Sequence, residues 1–300
     1  MVFVAGPVSV SVPATSANLG PGFDCLGLAL DLRDTLTAEV YDGPLAITVA
    51  GEGACEVPLD SGHLVVRAMS EVFEVLGEEP PGLRLTSANR IPHARGLGSS
   101  SAAIVAGIVL ARALFEEGAD RLDDGAALDL ANRLEGHPDN VAPALLGGFT
   151  VATQEAGHVA VARLDVDRRI GAVLFVPPDP VETAVARGLL PEVVRHGDAA
   201  ANSGRTALLV AAMVGAPDLL MAATGDLLHQ EYRRPAMPAT LELVASLRGD
   251  RIAAVVSGAG PTVLALVPAA DVDETARRTP PGWVSLTPAV GVEGARILPG

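Results

Sequence analysis

Hydrophobic positions recur with two different periods along this chain. Alternating, β-branched positions predict strands at residues 2–12, 28–40, 45–49 and 83–87, between the Gly147-Gly148 pair and about residue 162, from residue 170, and at 252–256 and 263–267. Apolar positions spaced by three and four predict helices at residues 64–76, 127–134, from 181, and at 203–215, 217–229 and 237–247. Charge concentrates at residues 165–169, which predicts a boundary near 155–168.

One apolar run, which continues to Phe115, follows a turn rich in glycine and serine. The turn contains Gly96, Gly98 and the three serines 99–101. A glycine-rich turn that enters a helix leaves backbone N–H groups without partners, and with the helix dipole these form an anion site. Glycine permits close approach of a phosphate, and the serines can cap the helix or bind a phosphate or a metal. Taken alone, the stretch fits a buried helix with a flexible entry turn equally well.

Composition and charge exclude several classes of function. With 49% hydrophobic residues, 300 residues can bury a substantial core. The net charge of -15 makes broad attraction to nucleic acid unfavourable, so a nucleotide has to be held locally by backbone donors and a divalent cation. All 21 basic residues are arginine, which excludes a Walker A loop, a protein-kinase site and Schiff-base chemistry, since each needs a lysine.

Targeting signals and cross-links are not expected. The two cysteines, Cys25 and Cys55, predict neither a disulfide framework nor a zinc site. The first residues lack a basic segment and a cleavage site, and the longest uncharged run, 96–111, is too short and too rich in glycine and serine to span a membrane. We therefore expect a cytoplasmic protein with no membrane partner.

Three motifs stand in order along the chain: PATSANLGPGFD at 13–24, PHARGLGSSSAA at 92–103 and SGAGPT at 257–262. Their combination resembles the GHMP kinases, a family of small-molecule kinases. The variants found here, together with EGHPDNVAPALLGG at 135–148, resemble the branch that acts on homoserine. The resemblance covers nearly the whole chain, and three motifs in this order are far more specific than one glycine-rich loop.

The resemblance implies an α+β fold of two domains with the active site between them. Residues 1–160 would form an N-terminal ATP-binding domain similar to domain 2 of ribosomal protein S5, and residues 161–300 a ferredoxin-like C-terminal domain. The implied reaction transfers the γ-phosphate of ATP to the side-chain hydroxyl of L-homoserine, a step towards threonine. The resemblance also implies a homodimer.

ATP and Mg²⁺ are the implied cofactors. The triphosphate would lie on one loop, formed by Pro92, His93, Ala94, Arg95, Gly96, Leu97, Gly98, Ser99, Ser100, Ser101 and Ala102. Ser100 matches a magnesium ligand of the family. Glu135 is the expected carboxylate partner because it flanks the apolar stripe of its predicted helix, and Asp129, which points away from that stripe, is the alternative. An ordinary solvated carboxylate is the other interpretation of Glu135.

The substrate is a zwitterion, so its site needs cations for the carboxylate and acceptors for the ammonium. Arg187 and Arg233 match the carboxylate-binding arginines of the family, and a bidentate guanidinium suits that task. The side chains of Asn18, Asp24 and His137 match its other substrate contacts, with Asp24 as the partner of the ammonium group. By composition alone, either arginine would be a surface residue.

Many GHMP kinases have an aspartate where this chain has Asn140, and an amide cannot accept a proton. Phosphoryl transfer depends more on positioning and charge neutralisation than on a strong base. Asn140 is therefore predicted to orient the substrate hydroxyl, whose proton leaves late to phosphate or solvent. Asp139 is the less favoured base, because adjacent turn residues usually point in different directions. His63 stands where many relatives have asparagine, which leaves the nucleotide-base contacts open.

Three rival functions follow from the same residues. Another GHMP kinase would act on mevalonate, a sugar or a diphosphocytidyl sugar alcohol, but a mevalonate site would have no need of Asp24. A non-catalytic sensor would be expected to lose part of the phosphate loop, and here the motifs are intact. RNA binding is opposed by the negative charge.

Overall fold

The computed structural model describes residues 2–299 of the chain. Its strands, in chain order, are β1 (Val8–Ala17), β2 (Leu26–Val40), β3 (Ala46–Gly51), β4 (Leu83–Asn89), β5 (Phe149–Glu155), β6 (His158–Leu164), β7 (Ile170–Val176), β8 (Ala253–Val256), β9 (Val263–Pro268), β10 (Val284–Leu286) and β11 (Arg296–Ile297). Its α-helices are α1 (Leu64–Leu76), α2 (Ser99–Leu114), α3 (Gly118–Arg121), α4 (Asp124–Glu135), α5 (Pro138–Leu146), α6 (Thr183–Gly188), α7 (His196–Val214), α8 (Leu220–Ala223), α9 (Pro238–Gly249) and α10 (Val272–Ala276).

Two sheets organise the fold. The first has the order β11-β1-β2-β4-β3, and β5 extends it by pairing with β2 and β6. Neighbouring strands in this sheet are antiparallel, except for β3 and β4, which run parallel to each other. A register shift between Pro13 and Ala14 bends β1 where it approaches the glycine-rich loop. The second sheet has the order β10-β7-β9-β8 and is antiparallel throughout. Mixed helices and antiparallel sheets of this kind make the fold α+β, as expected.

The helix α2 packs against the first sheet and is buried along most of its length. It packs on α1, on α4 and α5, and on β1, so its sequence is apolar on all sides rather than on one stripe. Gly107 lets α1 come close, because a Cβ there would lie 2.5 Å from the Val65 carbonyl oxygen. This packing fixes the N-terminus of α2 relative to the sheet.

Most predicted elements are confirmed, and α1 has the predicted bounds. The first strand, predicted at 2–12, instead begins at Val8 and continues through the motif to Ala17. Residues 138–146 form a helix that the sequence pattern does not predict, because a proline commonly ends a helix. Proline is favoured in the first turn of a helix, since its missing N–H would be unpaired there anyway.

The helix predicted at 217–229 forms only as far as Ala223 and is wrong for residues 224–229. A short 3₁₀ turn and α8 end at Ala223, and the chain then turns around Asp226. The Asp226 carboxylate accepts hydrogen bonds from the backbone N–H groups of Leu228, His229 and Gln230 at 2.7–3.0 Å. A buried aspartate that satisfies several backbone donors competes with helix formation.

The C-terminal segment returns to the first sheet. β11 pairs with β1, and Val290 and Glu293 form bridges with Leu30 and Gly147. The expected division at residue 160 falls inside β6, and residues 289–298 lie against the first sheet rather than the second. Across residues 2–299, the apolar stretch that a bilayer-spanning helix would require is missing from every helix.

Candidate active site

Three loops and the start of α5 meet between the two sheets. The Gly258 N–H donates to the Ala17 carbonyl at 3.0 Å, so the last motif contacts the end of β1. The Ser257 hydroxyl donates to the Gly96 carbonyl at 2.6 Å and lies 2.8 Å from the Ser16 hydroxyl. All three sequence motifs are thereby joined around one cavity of about 280 Å³.

The N-terminus of α2 opens onto this cavity. The first hydrogen bond of the helix runs from the Ala102 N–H to the Gly98 carbonyl at 2.8 Å, so the N–H groups of residues 99–101 precede the helical ladder. Gly96, Gly98, Ser99 and Ser100 line the cavity. Backbone donors at a helix N-terminus favour an anion, which matches the predicted phosphate loop.

Gly96 and Gly98 are required by the protein's own packing as well as by a ligand. Both have a left-handed backbone, with φ of 71° and 69°. A Cβ on Gly98 would lie 2.0 Å from the Thr15 hydroxyl, and one on Gly96 would lie 2.2 Å from the Ser257 carbonyl oxygen. The absent side chains therefore let the loop touch the other two motifs, a reason that the sequence alone did not reveal.

The predicted loop divides between two surroundings. Its cavity-lining members are Ala94, Gly96, Leu97, Gly98, Ser99 and Ser100. The remaining members, Pro92, His93, Arg95, Ser101 and Ala102, do not line this cavity. The Arg95 guanidinium instead donates to the Pro177 carbonyl at 3.0 Å and to the Pro178 carbonyl, which ties the loop to the end of β7.

Glu135 faces the start of α2. Its Oε1 accepts hydrogen bonds from the hydroxyls of Ser100 at 2.7 Å and of Ser101 at 2.8 Å. Asp129, the alternative, lies elsewhere: its carboxylate contacts the His158 ring at 2.7 Å and accepts from the Val159 N–H. The structure thus brings Ser100 together with Glu135 and not with Asp129.

This pair fits a magnesium ion by its chemistry. Mg²⁺ is commonly held by one or two protein oxygen ligands together with substrate phosphates and water. A hydroxyl and a carboxylate beside a phosphate-binding helix N-terminus supply such oxygens. Within residues 2–299, no group of three or more histidine, cysteine, aspartate or glutamate side chains forms a complete metal cage.

The start of α5 supplies a second wall of the cavity. His137 Nδ1 and Asp139 Oδ1 lie 2.6 Å apart, and Asp139 is almost fully buried. The Thr15 hydroxyl donates to Asn140 Oδ1 at 2.8 Å. Both Asp139 and Asn140 line the cavity, where they begin a helix rather than a turn, and their side chains contact different partners, His137 and Thr15.

The pKa of His137 is set by opposing influences. Burial lowers it, but the hydrogen bond and charge of Asp139, with the charge of Glu135, outweigh burial and raise the pKa above its ordinary value. His137 is therefore a hydrogen-bond donor at Nδ1, and its protonated form is favoured by two carboxylates.

The two predicted arginines occupy different environments. Arg187, on α6, forms a bidentate ion pair with Asp24, with Nη2–Oδ1 at 2.5 Å and Nη1–Oδ2 at 3.1 Å. Arg233 is 1% exposed, and its Nη1 donates to the Gly258 carbonyl and to His229 Nδ1, each at 3.0 Å. Burial and the neighbouring Arg187 charge lower the pKa of Arg233 to about 10, so it remains charged at neutral pH.

Two residues around these arginines were missed from the sequence. His229 is fully buried, and its Nε2 lies 2.7 Å from the Gly20 carbonyl oxygen, so it donates there and accepts from Arg233 at Nδ1. Burial lowers the pKa of His229, which matches a neutral ring. The Phe23 ring lies 5.4 Å from the Arg187 guanidinium and 5.7 Å from that of Arg233. Phe23 stands inside the first motif, but His229 lies outside the motifs that carried the resemblance.

Asn18 lines the cavity, but both polar atoms of its side chain form hydrogen bonds within the protein. Its Nδ2 donates to the Gly258 carbonyl at 2.8 Å, and its Oδ1 accepts from the Asp24 N–H at 3.0 Å. Its backbone has φ of 66°, which asparagine tolerates better than most residues. Asn18 therefore joins the first and last motifs and fixes the backbone of Asp24.

A second cavity, of about 260 Å³, lies on the other side of Ser99 and Ser100. Its lining is mostly apolar and includes His63, Leu64 and Ser87. The buried His63 Nδ1 and Ser87 Oγ have no hydrogen-bond partner among residues 2–299. Burial also lowers the pKa of His63, so its ring is neutral. An apolar pocket with unused polar atoms suits a planar heterocycle.

Comparisons with known proteins identify the family to which the chain is similar. Residues 63–148 match the family model described as GHMP kinases N terminal domain, and residues 208–279 match GHMP kinases C terminal. A homoserine kinase from Streptomyces coelicolor is 55% identical over 297 residues, covering 99% of this chain and 96% of the relative. One from Streptomyces avermitilis is 54% identical, covering 99% and 97%. The crystal structure of homoserine kinase from Cytophaga hutchinsonii superposes with a TM-score of 0.84 at 25% identity, covering 99% of this chain and 100% of that one.

Proposed function

Since the chain belongs to the GHMP kinase family, and within it to the homoserine kinases, we propose that it transfers the γ-phosphoryl group of ATP to the side-chain hydroxyl of L-homoserine. The product is O-phospho-L-homoserine, a precursor of threonine. One observation carries the proposal most directly. The open N-terminus of α2, the amide of Asn140 and the guanidinium of Arg233 all line one cavity.

The protein supplies an anion site for the triphosphate. The N–H groups at the start of α2 bind phosphate oxygens without lysine. His137 lines the same cavity and contacts the substrate. Ser100 and Glu135 would hold the magnesium ion that accompanies ATP. Bound there, the ion neutralises charge that develops on the phosphate oxygens.

Asn140 orients the acceptor hydroxyl. Its Oδ1 accepts from Thr15, which leaves Nδ2, with no hydrogen-bond partner among residues 2–299, to donate to the substrate oxygen. The new bond joins that oxygen to the γ-phosphorus as the bond to ADP breaks, and the hydroxyl proton leaves late to phosphate or solvent. Positioning of this kind is sufficient where the transition state is loose.

The remaining predicted residues hold the amino-acid end. Arg187 and Arg233 bind the carboxylate, Asp24 binds the ammonium group, and Asn18 keeps Asp24 in place. We place the nucleoside of ATP in the second cavity, where His63 and Ser87 offer free polar atoms to the base. The ATP-binding unit then comprises residues 1–160, the rest of β6 and the returning segment 289–298. The chain forms a homodimer, which light scattering would test.

The first experiment measures ADP release with Mg-ATP and L-homoserine, mevalonate, galactose or no acceptor. Turnover confined to homoserine supports the proposal. Turnover with another acceptor would reassign the substrate, and ATP binding without turnover on any acceptor would make the chain a sensor on the same fold.

A metal titration tests the ligand assignment. Glu135→Gln should raise the Mg²⁺ concentration required for half-maximal activity, because an amide replaces the anionic ligand. Asp129→Asn is the matched control and should leave that concentration unchanged, since Asp129 contacts His158 and Val159 instead. An equal shift in both variants would refute the assignment of Glu135.

A further inference from the structure

The ion pair between Arg187 and Asp24 joins the two groups that the proposed function assigns to opposite charges of the substrate. Both pairs of atoms are in contact, at 2.5 and 3.1 Å, and each side chain is only about one-third exposed, at 34% and 35%. In the ligand-free protein, each group therefore satisfies the other. A bidentate pair with this degree of burial is stronger than an ordinary surface pair.

We propose that this ion pair is the specificity device of the amino-acid site, because a substrate must replace both of its partners at once. A zwitterion offers a carboxylate to Arg187 and an ammonium to Asp24, so neither group is left unpaired. A ligand that carries only a carboxylate pairs with Arg187 and leaves the partly buried Asp24 without a counter-ion. A ligand that carries only an ammonium group pairs with Asp24 and leaves Arg187 unpaired. Both outcomes are unfavourable. The inference rests on the proposed function and specifies how the same site selects amino acids.

The two partners differ in how firmly they are held. Asp24 has a left-handed backbone with φ of 52°, and its N–H is bound by Asn18, which is anchored to Gly258. Arg187 lies on α6, a helix of six residues of which only Ala186 is buried. Exchange of partners therefore involves movement of the Arg187 side chain rather than of Asp24.

Arg233 provides the fixed half of the carboxylate site. It is 1% exposed, contacts Gly258 and His229, and makes no ion pair with a carboxylate within residues 2–299. The centroid of the Phe23 ring lies 5.4 Å from the Arg187 guanidinium and 5.7 Å from that of Arg233. One arginine is thus available to an incoming carboxylate, whereas the other has to leave Asp24 first.

Two analogues that keep the reacting hydroxyl separate the charges. In 4-hydroxybutanoate the ammonium group is missing, and in 3-aminopropan-1-ol the carboxylate is missing. In Asp24→Asn, Arg187 is released, so binding of 4-hydroxybutanoate should improve about tenfold over the wild type while binding of homoserine weakens. Arg187→Gln should likewise improve binding of 3-aminopropan-1-ol. Independent contacts would give no such gains.

The control separates release of Arg187 from a general loss of negative charge. Glu182 lines the same cavity and forms no ion pair within residues 2–299, so Glu182→Gln removes one charge without freeing an arginine. It should change binding of 4-hydroxybutanoate less than about twofold. An equal gain in Glu182→Gln, or no gain in Asp24→Asn, would overturn the inference.

Calorimetric binding and turnover keep the two proposals distinguishable. If the wild type does not phosphorylate homoserine, the proposed function fails, whatever the analogues show. If it does, and the analogue gains are absent, only the ion-pair inference fails. Should Asp24→Asn not fold, as judged by circular dichroism, the Arg187→Gln arm with 3-aminopropan-1-ol decides the outcome.

Discussion

Among single side chains, His229 determines how Arg233 is presented to the cavity. Its ring donates to Gly20 and accepts from the arginine, so both nitrogens are used. His229→Leu should raise the KM for homoserine about tenfold and leave the KM for ATP nearly unchanged. The reason is that the buried Arg233 guanidinium would lose the acceptor that His229 Nδ1 provides. His229→Asn, which can return an acceptor near Nδ1, should recover part of the loss. Equal KM values in the Leu and Asn variants would reduce His229 to a packing role.

Asn140 and Asp139 can be ranked by conservative variants. Asp139→Asn keeps the shape of a residue whose Oδ1 contacts His137, whereas Asn140→Leu removes the amide that orients the hydroxyl. We expect Asp139→Asn to retain more activity, measured as kcat with saturating ATP and homoserine. The reverse order would identify Asp139 as the base.

The raised pKa of His137 predicts a pH-dependent contribution to stability. A group whose pKa is higher in the folded state stabilises the fold fully below its ordinary pKa, about 6.5, and loses that contribution as pH rises through the folded value. The difference in Tm between wild type and His137→Gln should therefore be larger at pH 6 than at pH 9. A difference that grows with pH would contradict the sign. Both proteins keep the buried His63 and His229, whose pKa values are lowered, so the contributions of these two residues to Tm cancel in the difference.

At the scale of elements, the turn into α2 depends on contact between motifs. Gly98→Ala places a methyl group 2.0 Å from the Thr15 hydroxyl in a left-handed backbone, so we expect a loss of more than about 2 kcal/mol and of most activity. Gly77→Ala is the matched control, with a similar φ of 75° and open space around it, and should cost about 1 kcal/mol. Urea unfolding measures both. Equal losses would show that backbone strain alone matters.

The sequence predicts elements best where local pattern and tertiary packing agree. The amphipathic helix α1 has the predicted bounds because its apolar stripe is also its buried face. Residues 217–229 differ because a buried Asp226 binds backbone donors, a tertiary arrangement with no periodic signal. In the site, the residues that belong to the motifs could be predicted from the sequence. The contacts between Arg187 and Asp24 and between His229 and Arg233 could not, because they depend on how the folded chain places side chains next to one another.

In the whole molecule, the last residues complete a sheet that begins at the other end of the chain. Backbone hydrogen bonds join Leu298 to Ser9, Gly291 to Ala29 and Ala295 to Ala144, at 2.8–2.9 Å. A chain that ends at residue 288 should lose about 3 kcal/mol or more of stability, at roughly 0.5–1.5 kcal/mol for each hydrogen bond lost, and thermal unfolding followed by circular dichroism measures the change.

A synthetic peptide of residues 289–300 should restore that stability in trans, because it can pair with the open edge of β1. The same peptide with Gly294→Val is the control, since a Cβ at Gly294 would lie 2.1 Å from the Leu145 carbonyl oxygen. If the truncated chain keeps its Tm, the returning strand contributes little. If both peptides restore it equally, the effect comes from nonspecific binding rather than from completion of the first sheet. Rescue by the natural peptide alone would show that the ATP-binding unit is built from both ends of the chain.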